Sequence, residues 1–217
     1  MVPLTLAPRR RRLTILCLGA HADDIEIGAG GTVLRLVRAH PGSTVHWVVF
    51  SAPGRRAAEA RASAARFLRA AGRRSVEVYD FRDGFFPDAR TPIKEAFEAL
   101  KPIAPDLILT HTERDRHQDH RLVAELTWNT FRDHMILEYE VPKYDGDLGS
   151  PNVFVPLAAR DRRRKIAILM ASFPSQHRKR WFSPATFEAL MRLRGVESAA
   201  RAGYAEAFYV RKVTLEP

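Results

Sequence analysis

Leu13-Thr14-Ile15-Leu16-Cys17-Leu18-Gly19-Ala20-His21-Ala22-Asp23-Asp24-Ile25-Glu26 is the stretch that decides the fold of this chain. The apolar run Leu13–Leu18 reads as a buried strand. Gly28-Ala29-Gly30-Gly31 follows and leads into a helical pattern over Gly30–His40, with Val33, Leu34, Leu36 and Val37 at helical spacing. A strand that turns into a helix leaves one histidine and two adjacent carboxylates at the strand's C-terminal end. In open α/β sheets that is where ligands bind.

Outward from this stretch the alternation continues. Pro41-Gly42 stops the first helix, and Thr44–Phe50 is rich in strand formers. Ser51–Gly54 is a loop, and Arg56–Ala71 is an Ala/Arg helix closed by Gly72. Ser75–Tyr79 is a third strand, Asp83-Gly84 a turn, and Thr91-Pro92 opens a helix to Leu100. Asp106–Thr110 is a fourth strand and Gln118–His134 the helix after it. This order predicts an α/β fold: a Rossmann-like, mostly parallel sheet flanked by helices, in a single domain over residues 1–217 with a basic lead-in at 1–12. After Met135 the pattern loosens into a turn-rich loop around Tyr144-Asp145-Gly146-Asp147. Helices over Arg160–Ala171 and Pro184–Leu193, the second capped by Ser183, and a strand over Ala207–Val213 complete the chain.

With 217 residues and a hydrophobic share of 46%, the chain can bury one sizeable core. No apolar run approaches the roughly 18 residues of a membrane span, and nothing at the start reads as a secretory signal. The single cysteine, Cys17, lies mid-strand and excludes an internal disulfide. The expected compartment is the cytoplasm. The net charge is +10, but the arginines are spread along the chain without aromatic interleaving or a Cys/His finger. No nucleic-acid partner is expected.

His21 and Asp24 stand three apart in a turn, so they can face one point while Asp23 faces the space beside it. That is ligand chemistry for a divalent cation, with a carboxylate placed to act as a base. Asp23 and Asp24 are also good helix caps. The glycines after them suggest a dinucleotide loop, but that motif stands directly at the strand end, where two aspartates would repel a pyrophosphate. Helix–strand packing is the better reading of Gly28, Gly30 and Gly31. A second cluster, His111–His120, follows the fourth strand. His117 and His120, three apart at a helix start, share a face, and either can supply a third metal ligand. Asp119 can hold an imidazole or cap the helix. Parallel strands bring both clusters to one sheet edge, which favours a metal site.

Ala20-His21-Ala22-Asp23-Asp24-Ile25-Glu26 resembles the Ala-His-Pro-Asp-Asp-Glu motif of the PIG-L/LmbE-like zinc deacetylases, and Asp115–His120 resembles their second motif, which ends His-Pro-Asp-His. Weaker echoes are Arg56-Ala57-Ala58-Glu59, Asp83-Gly84, Lys165 to Ser175-Gln176, and Ala205–Phe208. Ala22 and Gln118 stand where the family has proline, Ile25 where it has glutamate, and Phe173 where a histidine often precedes Ser-Gln. The resemblance implies an enzyme that hydrolyses an N-acetyl group, commonly on an N-acetylglucosamine-type sugar. It implies that His21, Asp24 and His120 bind Zn2+, with Fe2+ or Co2+ as alternatives. By the same resemblance Asp23 is the general base, and His117 stabilises the oxyanion with Asp119 orienting it. The expected partner is a small acetylated amino-sugar substrate, and homo-oligomerisation is left open. The competing reading is a nucleotide- or polyanion-binding protein with a non-catalytic metal site.

Arg56 and Asp83 follow the second and third strands, so they lie at the same sheet edge and read either as contacts to sugar hydroxyls or a phosphate or as a solvated helix charge and a turn former. Tyr139 is a third candidate contact; it lies with Tyr144 in the Glu138–Asp147 loop, a candidate lid, and either tyrosine reads as an oxyanion-hole donor or as plain aromatic packing. His40, His46, His134 and His177 lack carboxylates at useful spacing and read as structural.

Overall fold

The structure, a computed structural model, describes residues 5, 6 and 11–214, so the basic lead-in expected at 1–12 falls largely outside the described residues. Seven strands form one sheet among those residues: β1 (Thr14–His21), β2 (Thr44–Ser51), β3 (Arg73–Val78), β4 (Leu107–His111), β5 (Ile136–Tyr139), β6 (Val153–Pro156) and β7 (Ala205–Tyr209). Their spatial order is β3-β2-β1-β4-β5-β7-β6. The pairs from β3 to β5 are parallel, and β7 runs antiparallel to both β5 and β6. The helices are α1 (Asp24–Ala39), α2 (Arg55–Phe67), α3 (Arg90–Leu100), α4 (Gln118–Thr130), α5 (Ala159–Ser172) and α6 (Pro184–Glu197).

Both faces of the sheet are covered, which is why β1 reads as an unbroken apolar run. Ile15 and Cys17 point into a core with Val45, Trp47, Phe67 and Leu169. Leu16, Leu18 and Ala20 point into a second core with Phe50, Phe97 and Leu122. The chain passes from β1 to β2 to β3 in one direction and then returns to β4 on the other side of β1. The β1/β4 boundary is therefore the topological switch point, the place where open α/β sheets bind ligands.

The backbone parts at the same boundary. β1 pairs with β2 from Thr14↔Thr44 to His21↔Ser51, but with β4 only from Ile15↔Leu107 to Cys17↔Leu109. Past Cys17 the β1–β4 ladder forks. The β1 groups left without a β4 partner take side chains instead. Leu18 C=O accepts from the Tyr139 hydroxyl at 2.6 Å, and Ala20 N–H donates to His111 Nε2 at 2.9 Å.

The first helix begins at Asp24, six residues ahead of the expected start at Gly30. Its first turn carries Asp24 and Glu26, both favourable at a helix N-terminus, and Ile27 N–H closes the turn onto Asp23 C=O at 2.9 Å. The glycines thus lie inside the helix, where each costs about 1 kcal/mol against alanine. Close packing requires them. A Cβ at Gly28 would stand 2.2 Å from the Tyr139 ring, one at Gly30 2.7 Å from Phe67, and one at Gly31 2.6 Å from Leu157.

A buried ion pair pins the same helix. Lys165 Nζ donates to Ile27 C=O at 2.5 Å and to Glu206 at 2.6 Å, while Glu206 accepts from Gly31 N–H at 2.8 Å and Thr32 N–H at 2.6 Å. The pair thereby bridges Ile27 C=O and Gly31 N–H, the two ends of one helical hydrogen bond. The short strands β5 and β6 lie in and after the stretch whose pattern loosened. α4 ends at Thr130 rather than His134, and the last strand spans Ala205–Tyr209 rather than Ala207–Val213.

Candidate metal centre

His21 is the last residue of β1, and Asp24 is the first of α1. His120 lies in the first turn of α4, on the other side of the fork. Three donor atoms converge: His21 Nδ1 and His120 Nε2 are 3.1 Å apart, and each is 3.4 Å from Asp24 Oδ2. Ligands about 2.0–2.1 Å from a tetrahedral ion lie about 3.3–3.4 Å from one another. The triangle therefore matches three corners of such a site.

Each histidine is held through its other nitrogen by carboxylates, the arrangement that fixes tautomer and ring orientation at metal sites. His120 Nδ1 lies 2.8 Å from Asp115 Oδ2. His21 Nε2 lies 3.1 Å from both Asp83 Oδ1 and Asp119 Oδ2. Burial works to lower the His21 pKa, but Asp119, Asp24 and Asp83 outweigh it and hold the pKa well above the ordinary value. Burial alone would raise the Asp24 pKa, but His120, His111 and His21 hold it well below the usual carboxylate range. Burial and the neighbouring His111 bring His120 down to about 4, which keeps it a neutral donor. The site is built to stabilise positive charge.

Asp23 sits in the turn between His21 and Asp24 with φ 129. Its Oδ1 accepts from Arg56 Nη2 at 2.9 Å, while its buried Oδ2 has no hydrogen-bond partner among the described residues. Burial, opposed by Arg56 and supported by Asp24, pushes its pKa up to about 7, a suitable value for a base at neutral pH.

His117 caps α4. Its Nδ1 accepts from Asp119 N–H at 3.3 Å, so the neutral ring carries its proton on Nε2. Burial and the nearby His21 lower its pKa. The ring stands 4.8 Å from His21 and 4.7 Å from His120, centroid to centroid. The Asp119 carboxylate, expected to orient His117, lies on His21 and accepts from Gly84 N–H at 2.6 Å and Phe86 N–H at 3.1 Å. Its place in the first turn of α4 aims the side chain at that loop, and only its backbone reaches the His117 ring. Donor atoms of His21, Asp83, His117 and Asp119 form an overlapping cluster within 4.8 Å. Asp119 is already occupied there by backbone donors.

The expected substrate contacts part ways. Asp83 stays half exposed at the mouth, its side chain 57% accessible. Arg56 turns inward onto Asp23 and the Ala22 carbonyl. Tyr139 takes the packing reading rather than the substrate one, a correction of its place among the candidate contacts: it is fully buried, and its hydroxyl donates to Leu18 C=O at the fork. The candidate lid is tied down at its base, because Lys143 reaches Asp115 at 2.9 Å and Asp147 at 2.8 Å, although Tyr144 is exposed. Asp115 and Lys143 were not singled out from sequence. The cue for Asp115 was a carboxylate five residues before a candidate ligand histidine, near enough in a helix-entry turn to reach its ring. The glycines after the turn form no phosphate cradle, since their faces pack against Tyr139, Phe67 and Leu157.

The fold is shared with solved structures. The conserved protein TT1542 from Thermus thermophilus superposes with a TM-score of 0.72 at 19% identity, over 94% of this chain and 97% of that one. N,N'-diacetylchitobiose deacetylase from Pyrococcus horikoshii gives 0.69 at 20%, over 91% and 83%. GalB, the 4-carboxy-2-hydroxymuconate hydratase from Pseudomonas putida KT2440, gives 0.71 at 18%, over 94% and 99%. No curated protein matches the sequence. The GlcNAc-PI de-N-acetylase family, PIG-L, matches residues 16–131, a span that holds both histidine–aspartate clusters and more than half of the chain, and the chain belongs to that family.

Proposed function

We propose that this protein is a metal-dependent hydrolase that removes an N-acetyl group from an amino-sugar conjugate of the N-acetylglucosamine type. The observation that carries the reading is the triangle of His21 Nδ1, Asp24 Oδ2 and His120 Nε2 beside the unpartnered Oδ2 of Asp23. His21, Asp24 and His120 would hold the ion, Zn2+ first and Fe2+ or Co2+ as alternatives for the same donor set. When bound, zinc supplies Lewis-acid chemistry, polarising a carbonyl and lowering the pKa of water to about 7.

The chain's own groups do the rest. Asp23 Oδ2 takes the proton of the attacking water and returns it to the leaving amine. His117 Nε2–H donates to the carbonyl oxygen as it gains charge. Asp119 and Asp83 hold the His21 ring, and Asp115 holds the His120 ring. Asp83 also offers its accessible side a sugar hydroxyl.

The test is acetate release from a panel of N-acetylglucosamine conjugates, with metal analysis of the purified protein. Stoichiometric metal and acetate release that needs it are expected. Absence of either overturns the reading. The assay follows acetate rather than substrate loss because a hydratase shares this fold.

A further inference from the structure

We infer that Lys143 is a positioning residue of the candidate metal centre: its ammonium joins the loop after β5 to Asp115, the carboxylate behind His120, and so holds that ring in place. The inference rests on the metal-site reading for its effect on zinc, while the link between loop and turn is tested apart from it.

Lys143 is a sheltered cation on an exposed loop. Its side chain is 9% accessible, whereas Tyr144 beside it is 72% accessible. A lysine ordinarily keeps its ammonium in water. Here oxygens of the chain replace the water. Nζ lies 2.9 Å from Asp115 Oδ1, 2.8 Å from Asp147 Oδ2, 3.6 Å from Asp145 Oδ2 and 3.5 Å from Val141 C=O. Burial works to lower its pKa, but Asp115 and Asp147 outweigh it, so the group stays charged. Asp115 and Asp147 are as sheltered as the lysine, which sets this cluster apart from a surface ion pair.

Both carboxylates are shared with the turn that enters α4. Asp147 Oδ2 also accepts from Arg116 N–H at 2.8 Å. Asp115 Oδ1 also accepts from His117 N–H at 2.8 Å, and its Oδ2 faces His120 Nδ1 at 2.8 Å. One oxygen of Asp115 therefore serves the ligand ring while the other is held by Lys143 and the turn. The far end of the loop is secured elsewhere. Gly149 N–H donates to Glu140 Oε1 at 2.8 Å, and Glu140 accepts from Arg194 and Tyr209. One side of the loop thus belongs to the metal centre and the other to α6 and β7.

Charge and position predict opposite signs for this lysine. A cation near a bound ion repels it, so by charge alone its removal would tighten zinc. If Lys143 acts by holding Asp115, its removal frees the His120 ring and weakens zinc. Outer partners of ligating histidines are worth about 10–100-fold in metal affinity. Without the ammonium, Asp115 and Asp147 also face each other as like charges, which pushes the loop off the turn.

The experiment compares wild type, Lys143→Met and Lys143→Arg by zinc competition against a chelator and by amide exchange with deuterium in the metal-free proteins. Lys143→Met should bind zinc about tenfold more weakly. Lys143→Arg, whose fork can serve two carboxylates, should recover most of that loss. The Arg116 amide should exchange about tenfold faster in Lys143→Met than in wild type, with Gly149 changed by less than about twofold. Zinc bound as tightly or more tightly by Lys143→Met overturns the inference. So does a loss of protection at Gly149 as large as that at Arg116, which marks general loosening rather than a broken link. Should wild type bind no zinc, the metal reading fails, and the two amides still decide whether Lys143 holds the turn. Should Lys143→Met not fold, Lys143→Gln is judged by the same affinity and the same pair of amides.

Discussion

At Asp23 a strained backbone angle delivers a buried carboxylate with one anchored and one free oxygen. Asp23→Asn keeps the shape and removes the base, so kcat should fall about 10²–10⁴-fold with bound zinc retained, read by acetate release and metal analysis. Glu26 shows burial without such a use. Its carboxylate is buried, and burial, opposed by nearby Ser63, pushes its pKa up to about 8. The native state therefore keeps a proton that the unfolded chain releases at its ordinary carboxylate pKa near 4.5. Native protein binds more protons across that interval, so Glu26 makes stability fall as pH rises from about 4.5 to about 8 and adds no further slope above it. Asp23, raised to about 7, adds a decline of the same sign, so urea unfolding of the metal-free protein at several pH values should show a slope that Glu26→Gln makes shallower, most clearly between about pH 7 and 8. That His21, Asp23, Asp24, His117 and His120 come together was legible in the sequence, because histidines and aspartates clustered at parallel strand ends make a local pattern. The parts played by His111, Tyr139 and Asp115 were not, because they depend on where β1 and β4 stop pairing, which no local spacing encodes.

Among the elements, α1 joins the sheet to the site, and its glycines set how closely it lies. In an exposed helix Gly→Ala gains about 1 kcal/mol. Gly28→Ala should instead destabilise by about 1–3 kcal/mol, because the new Cβ meets the Tyr139 ring, and denaturant unfolding measures the sign directly. The Lys165–Glu206 pair is the other support of this helix, with Lys165 only 2% accessible. Lys165→Met leaves Glu206 buried and uncompensated, and should cost about 3–5 kcal/mol. The double variant Lys165→Met/Glu206→Gln should cost less than the single one, which a thermodynamic cycle from the same unfolding data will show. The first four strands and their helices were readable because each is a run with one period. β5 was hidden by Glu138 in its interior, held by Trp128 Nε1 at 2.5 Å and Arg211 at 2.7 Å. Just after it, Glu140 is held by Arg194 and Tyr209, so carboxylates stand where a buried strand ordinarily shows aliphatic residues.

For the molecule as a whole, the proposed ion would join two halves that the sheet joins incompletely. His21 and Asp24 come from one side of the switch point and His120 from the other. A ligand that binds only the native state at 1,000 times its Kd adds about 4 kcal/mol. Chelation should therefore lower the melting temperature by several degrees, reversed by added zinc and seen by calorimetry. A melting point indifferent to metal would count against the site. The fork between β1 and β4 also carries a prediction for amide exchange with deuterium. Leu16 and Cys17 lie inside a ladder on both sides and should exchange only through global opening. Ala20, three residues on in the same strand, has its N–H on an imidazole nitrogen rather than on a neighbouring strand. Its protection then depends on how firmly the His111 ring is held beside Asp24. One strand would thus record, amide by amide, where the sheet ends as a scaffold and where the candidate site begins.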